Sequence, residues 1–212
     1  MATAGAFDGL DVCLHNHPCG ENTVWNFHSV ASIDLTIEWH GVSAHAGFVP
    51  WEGRSALLAV EVFLHAANLM QEQLVPQARL KYIILDGGQA VNVIPGYSKV
   101  LARYRGPSAE NVREHVKWIR DIATGAALST KTRATATVLG GTHECLENGA
   151  LAEVMNGRMA HCFPVDWTEE DQVFARAIQK EIGKPQDGMA VNVLPMPCKV
   201  EVSGSSDVGD VS

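Results

Sequence analysis

A few side chains in this sequence stand where chemistry is possible. His15 and His17, in "CLHNHPCG", are two residues apart, a spacing that puts both imidazoles on one side of an extended segment, where they could share a metal ion. A metal site needs three or more ligands and Pro18 breaks the segment, so the pair also reads as two ordinary histidines. His45 lies in "SAHAG", where Ala44, Ala46 and Gly47 leave the backbone open to close approach by a ligand. A histidine on such a loop donates to a developing oxyanion or acts as an acid, and neither task requires a metal; it can also simply fill a turn. Asn92, in "GGQAVNVIP", is either an exposed amide on a constrained loop or a turn residue serving the backbone. Arg105 closes "YRGP". Its planar fork suits a carboxylate, although an arginine beside a turn is commonly just solvated.

Other chemistries find no support. "GSSDVGDVS" sets Asp207 and Asp210 among small residues, in the manner of a cation or substrate loop, but lacks the twelve-residue spacing and terminal Glu of a calcium-binding EF-hand. GxSxG, P-loop and GxGxxG motifs are all absent, which removes the serine-hydrolase, nucleotide-hydrolase and dinucleotide readings. The five cysteines, Cys13, Cys19, Cys145, Cys162 and Cys198, are scattered and odd in number, so reduced and mostly buried thiols are expected, with Cys13 and Cys19 set apart because they flank His15 and His17. The net charge is −8 with 16 Lys and Arg and no run of basic residues, which makes nucleic acid and anionic membranes poor partners. The N-terminus has no basic region followed by an apolar stretch, and a soluble, cytoplasmic protein is expected.

The elements that must position these residues are legible in the hydrophobic period. "SIDLTIEWHG" alternates, with Ile33, Leu35, Ile37 and Trp39 on one face, as a half-buried strand does. From Pro50 the period lengthens: Ala56, Val60, Phe63, Leu64, Ala67 and Met70 mark an amphipathic helix that ends before Pro76. "ARLKYIILDGG" and "YSKVLARYRGP" read as antiparallel strands, the second alternating Val100, Ala102 and Tyr104 with Lys99, Arg103 and Arg105. Ser108 caps a second helix with Val112, Val116, Ile119 and Ile122 on one face, and "RATATVLG" supplies a fourth strand. The order β-α-β-β-α-β is that of a ferredoxin-like sandwich, an α+β fold with two helices on one face of a four-stranded antiparallel sheet.

The flanks are expected to be the edges of a second domain into which this unit is inserted, with boundaries at 1–28, 29–140 and 141–212. They offer a short strand over Leu10–Leu14, helices near Leu146–Met159 and Thr168–Ile182, and a final Gly/Ser-rich loop. Because "SGSSDVGDVS" stops without a closing element, the chain reads as a fragment of something larger.

Taken together, "GVSAHAGFVPWEGRSALLAVE", "DGGQAVNVIPGYSKVLARYR" and "GSSDVGDVS" resemble the zinc-dependent aminoacylase/carboxypeptidase G metallopeptidase family, and within it most closely the aminobenzoyl-glutamate hydrolase branch. The resemblance implies a catalytic α/β domain holding two zinc ions and a ferredoxin-like lid through which the enzyme forms a homodimer. It implies hydrolysis of an amide bond next to a free carboxylate, as in aminobenzoyl-glutamate or an N-acyl amino acid, by a metal-bound water. His45 matches the lid histidine that reaches the partner's site and stabilises the oxyanion, Asn92 and Arg105 match substrate-binding positions, and His17 matches a metal ligand. The family's other metal ligands and its general-base glutamate have no counterpart here. The chain alone is therefore expected not to hydrolyse an amide, and a non-catalytic dimerisation module is the alternative.

Overall fold

The computed structural model describes residues 2–197, 200–202 and 204–212; Cys198 lies outside them. In chain order the strands and helices are β1 (Phe27–Ser29), β2 (Ala31–His40), α1 (Ala56–Gln71), β3 (Arg79–Asp86), β4 (Tyr97–Gly106), α2 (Ala109–Thr130), β5 (Arg133–Thr142), α3 (Gly149–Cys162), α4 (Glu169–Glu181) and β6 (Val200–Val202). The chain divides into two compact units, one centred on residues 29–145 and one built from residues 1–28 and 146–201.

The central unit has the sheet order β3-β4-β2-β5, every neighbouring pair antiparallel. This is the ferredoxin-like arrangement, in which the two βαβ halves interleave and the first and third of the unit's strands lie in the middle. Both helices cover one face, α1 over the β3–β4 half and α2 over the β2–β5 half. Their apolar stripes meet the inward side chains of the strands: Val60, Phe63 and Met70 from α1, Val112 and Ile119 from α2, and Leu35, Ile37, Trp39, Leu80, Val100 and Tyr104 from the sheet are all buried. Trp39 and Phe63 anchor this core with ring centroids 5.1 Å apart. Two aromatic polar tips inside it are partnered: the Trp39 indole N–H donates to the Ala123 carbonyl at 3.3 Å, and the Tyr104 hydroxyl donates to Asn111 Oδ1 at 3.0 Å. Burial, with Glu114 adding a smaller effect, pushes the Tyr104 phenol up to about 12.

Helix starts follow the expected chemistry. Ser55 and Ser108 accept the backbone N–H groups of Leu58 and Asn111, satisfying donors that a helix N-terminus leaves free. In the other unit Thr168 and Asp171 form a reciprocal capping box at α4.

The flanks depart from expectation in three places. The segment Leu10–Leu14 is not a strand; Leu10, Val12 and Leu14 are exposed, so alternation without a pairing partner produced no ladder. Cys13, Cys19 and Cys162 are exposed and Cys145 alone of the described cysteines is buried, because the residues around the first three lie on loops or a helix end rather than in the core. The terminal loop contains a 3-10 turn, Asp207–Asp210, seated on the end of β5. Gly209 permits that seat, since a Cβ there would collide with the His143 carbonyl oxygen.

Candidate functional site

The chain between β2 and α1 folds back on the chain between β3 and β4. Gly41 N–H donates to the Gly96 carbonyl at 2.8 Å, Val42 and Arg54 exchange both backbone hydrogen bonds, and Ile94 N–H donates to the Ala44 carbonyl at 2.9 Å. The Arg54 guanidinium donates to the carbonyls of Trp51 and Gly53 and closes the turn from inside. Gly53 and Gly96 are closely packed: a Cβ on the first would meet Ile94 Cδ1 at 2.6 Å, on the second Ser43 Oγ at 2.5 Å, and either would force its neighbour to move. The loop is therefore pinned at several points before it reaches its tip.

His45 is at that tip, exposed, and in an antiparallel bridge with Val93. The neighbouring Ala46 N–H donates to the Asn92 carbonyl at 2.9 Å, so His45 and Asn92 are held side by side. The Gly47 N–H donates to His45 Nδ1 at 3.2 Å. A nitrogen that accepts carries no proton, so in the neutral ring the proton sits on Nε2. His45 thus presents a hydrogen-bond donor outward. Phe48 packs its ring 4.7 Å from the imidazole and is itself 75% exposed, and Trp51 beyond it is 70% exposed.

Arg105 stands at the other end of the sheet. It is eight residues along β4 from Tyr97, about 26 Å at a strand's usual rise, on the face opposite the helices. Its Nε is buried without a hydrogen-bond partner. The adjacent Arg103 is occupied: its Nε and Nη2 donate to the two carboxylate oxygens of Asp34 at 2.6 and 2.5 Å. The hydrogen bond from Arg103 holds the Asp34 carboxyl below its ordinary range, with Arg105 contributing at longer reach. Further along the face Lys99 pairs with Glu38 at 2.6 Å and lowers that carboxyl likewise.

The sequence contains no run of basic residues, yet the fold assembles one. Arg79 and Lys81 of β3 lie opposite Arg105 and Arg103 of β4, which puts four cations on one corner of the open sheet face with Asp34 as the facing carboxylate. The signal was the alternation of Arg79 and Lys81 with Leu80 and Tyr82; register alone says which neighbours they meet. Asp210, marked in the sequence within the terminal loop, pairs with His143, which carried no signal of its own. Asp210 accepts both the backbone N–H of His143 at 3.0 Å and its Nδ1 at 2.9 Å, tying the terminal turn to the end of β5.

His17 belongs to the other unit, in an exposed segment without regular structure. Its Nδ1 lies 2.8 Å from the Pro18 carbonyl. A carbonyl only accepts, so Nδ1 carries the proton and Nε2 offers its lone pair, the form a metal takes. Among the described residues no three His, Cys, Asp or Glu side chains converge on one point, so the donor set fits one ligand of a metal site and not a whole one. His15 adds nothing to it. A concavity along α2, lined by Arg113, Lys117, Arg120 and Val138 among others, contains none of the candidate residues.

Comparison with known proteins gives the class of the ferredoxin-like unit. Residues 29–131 match the peptidase dimerisation domain of the M20 family, and this unit is such a domain. The chain is 32% identical over 180 residues to one of the subunits of p-aminobenzoyl-glutamate hydrolase from Escherichia coli (strain K12), covering 84% of this chain and 37% of that protein. It is 34% identical over 163 residues to the human Xaa-Arg dipeptidase, covering 74% of this chain and again 37% of that protein. The chain thus spans a little over a third of the length of these two curated relatives. A crystal structure of an aminobenzoyl-glutamate utilization protein from Klebsiella pneumoniae superposes over 99% of this chain and 48% of its own, with a TM-score of 0.60 and 21% identity, and so shares the fold. The homologues are amidohydrolases and peptidases, and M20 peptidases are generally metal-dependent. No described helix is long and apolar enough to cross a membrane.

Proposed function

We propose that this chain carries the lid of a metal-dependent amidohydrolase that cleaves an amide bond next to a free carboxylate. The observation that carries the reading is the state of His45: a loop tip fixed by backbone hydrogen bonds, with Nδ1 occupied by the Gly47 N–H and the Nε2 proton turned to the outside. A preorganised donor of that kind stabilises an oxyanion without reorganising as charge develops. Asn92 stands beside it as a second amide donor, and Arg105 supplies a guanidinium for the substrate's carboxylate. His17 is one ligand for zinc, which when bound would polarise the amide carbonyl and lower the pKa of a water.

His45 and Arg105 lie too far apart along the sheet to reach one small substrate from the same lid, so His45 serves a second copy. A homodimer follows from this reading. It is supported by exposed apolar side chains on both α1 and the edge strand β3: Leu58, Val62 and Leu69 on the helix, Ile84 and Leu85 on the strand. One ligand cannot hold a pair of metal ions, and the 212-residue chain alone should give no turnover.

The test is to incubate the purified chain with zinc and p-aminobenzoyl-glutamate, following both cleavage and binding. The expected outcome is no chelator-sensitive cleavage, together with weak binding that Arg105→Ala removes. Chelator-sensitive cleavage would refute the predicted inactivity; binding indifferent to Arg105 would refute the carboxylate reading. A non-catalytic dimerisation module would dimerise equally well but bind no such ligand.

A further inference from the structure

Relatives of this chain are named for substrates of opposite charge: a glutamate conjugate in one, dipeptides ending in arginine in the other. The sheet face around Arg105 discriminates between them. Arg79 and Lys81 on β3, and Arg103 and Arg105 on β4, occupy two adjacent rows of the same face. Directly paired residues have Cβ atoms about 5 Å apart, and alternate residues on one strand are about 7 Å apart, so the four cations share one small patch. Asp34 neutralises Arg103 through two hydrogen bonds. Arg79 is folded back onto the carbonyls of Pro76 and Ala78. Arg105 and Lys81 are left with no carboxylate within ion-pair distance among the described residues, and the Nε of Arg105 is buried and unpartnered. In a chain of net charge −8 such a concentration of unneutralised positive charge opposes the overall balance. It attracts anions and repels a cationic side chain.

We infer that Lys81, on the edge strand opposite Arg103 and diagonally across from Arg105, is a specificity-determining residue that takes a second carboxylate, so that this lid serves acyl conjugates of acidic amino acids rather than of arginine. The inference rests on the proposed carboxylate role of Arg105 and extends it. Arg105 grips one carboxylate through its planar fork, while the flexible, exposed Lys81 ammonium meets the other as a point charge, with Arg79 adding to the local potential.

N-acetylglutamate and N-acetylglutamine form a matched pair of probes, since they share one shape and differ by a single negative charge. Their binding to the full 212-residue chain is followed by NMR titration at about 20 mM ionic strength, where exposed charges are weakly screened. N-acetylglutamate should bind about fivefold more tightly, the scale of one exposed charge pair. Lys81→Gln, an exposed position that leaves the Leu80 core contact intact, should erase the difference while still binding both probes, and N-acetylarginine should bind more weakly than either. Equal binding of the matched pair, with Arg105→Ala still removing both, would overturn the role of Lys81 and leave that of Arg105 standing. Binding that ignores Arg105→Ala, or no binding at all, would overturn both.

Discussion

At the scale of single residues, protonation and pairing separate candidates that look alike in sequence. His17 and His45 are both exposed histidines on irregular chain, yet one donates from Nδ1 to a carbonyl and the other accepts at Nδ1 from an amide. The first offers a lone pair outward and the second a proton, which suits them to the two different roles proposed for them, metal ligand and oxyanion donor. Arg103 and Arg105 differ in the same way, since Asp34 consumes the first and not the second. The Asp34 carboxyl is held low chiefly by its hydrogen bond from Arg103, so the pair stabilises the fold above the unfolded carboxylate range, and that stability is lost as pH falls through the lowered native value. Asp34→Asn should therefore melt earlier than wild type at neutral pH, and the gap should close below about pH 4. Thermal melts of both proteins between pH 7 and 3 check this. A gap that persists unchanged at pH 3 would assign the effect to packing instead.

At the scale of elements, the site depends on how tightly two loops are closed. The sequence announces the strands and helices through their periods, but "HGVSAHAGFVPWEGR" has no period at all. What orders it is backbone pairing with the 92–96 segment and closely packed glycines. A Cβ on Gly41 would collide with the Arg54 carbonyl oxygen, an acceptor in the Val42–Arg54 ladder. Gly41→Ala should cost about 1–3 kcal/mol by urea denaturation, as overpacking does, and it should broaden the amide signals of residues 42–47 more than those of the sheet. An unchanged midpoint would mean the ladder yields without cost. The glycine itself is visible in sequence; the carbonyl it avoids is thirteen residues away and is not.

At the scale of the whole molecule, the four-stranded sheet has two faces and two edges of different character. One face is sealed by α1 and α2, the other carries the charged rows, β3 forms an edge, and α1 carries an exposed apolar stripe. If these surfaces join two copies, Val62→Lys should shift the chain from dimer to monomer in sedimentation at micromolar concentration, at little cost to the fold because Val62 is already 40% exposed. Wild type sedimenting only as a monomer would rule the homodimer out.

The sequence by itself determined the ferredoxin-like order of elements, the Ser108 cap, and the inward faces of β2, β4 and α2, because each of these is encoded by residues close together in the chain. It also marked His45, Asn92 and Arg105 by type and local setting. Only the tertiary structure decided that His45 and Asn92 share one loop pair while Arg105 sits at the far end of the sheet, with Arg79 opposite it and Lys81 opposite Arg103. Those relations depend on strand register and on hydrogen bonds between segments tens of residues apart, and periodicity carries neither.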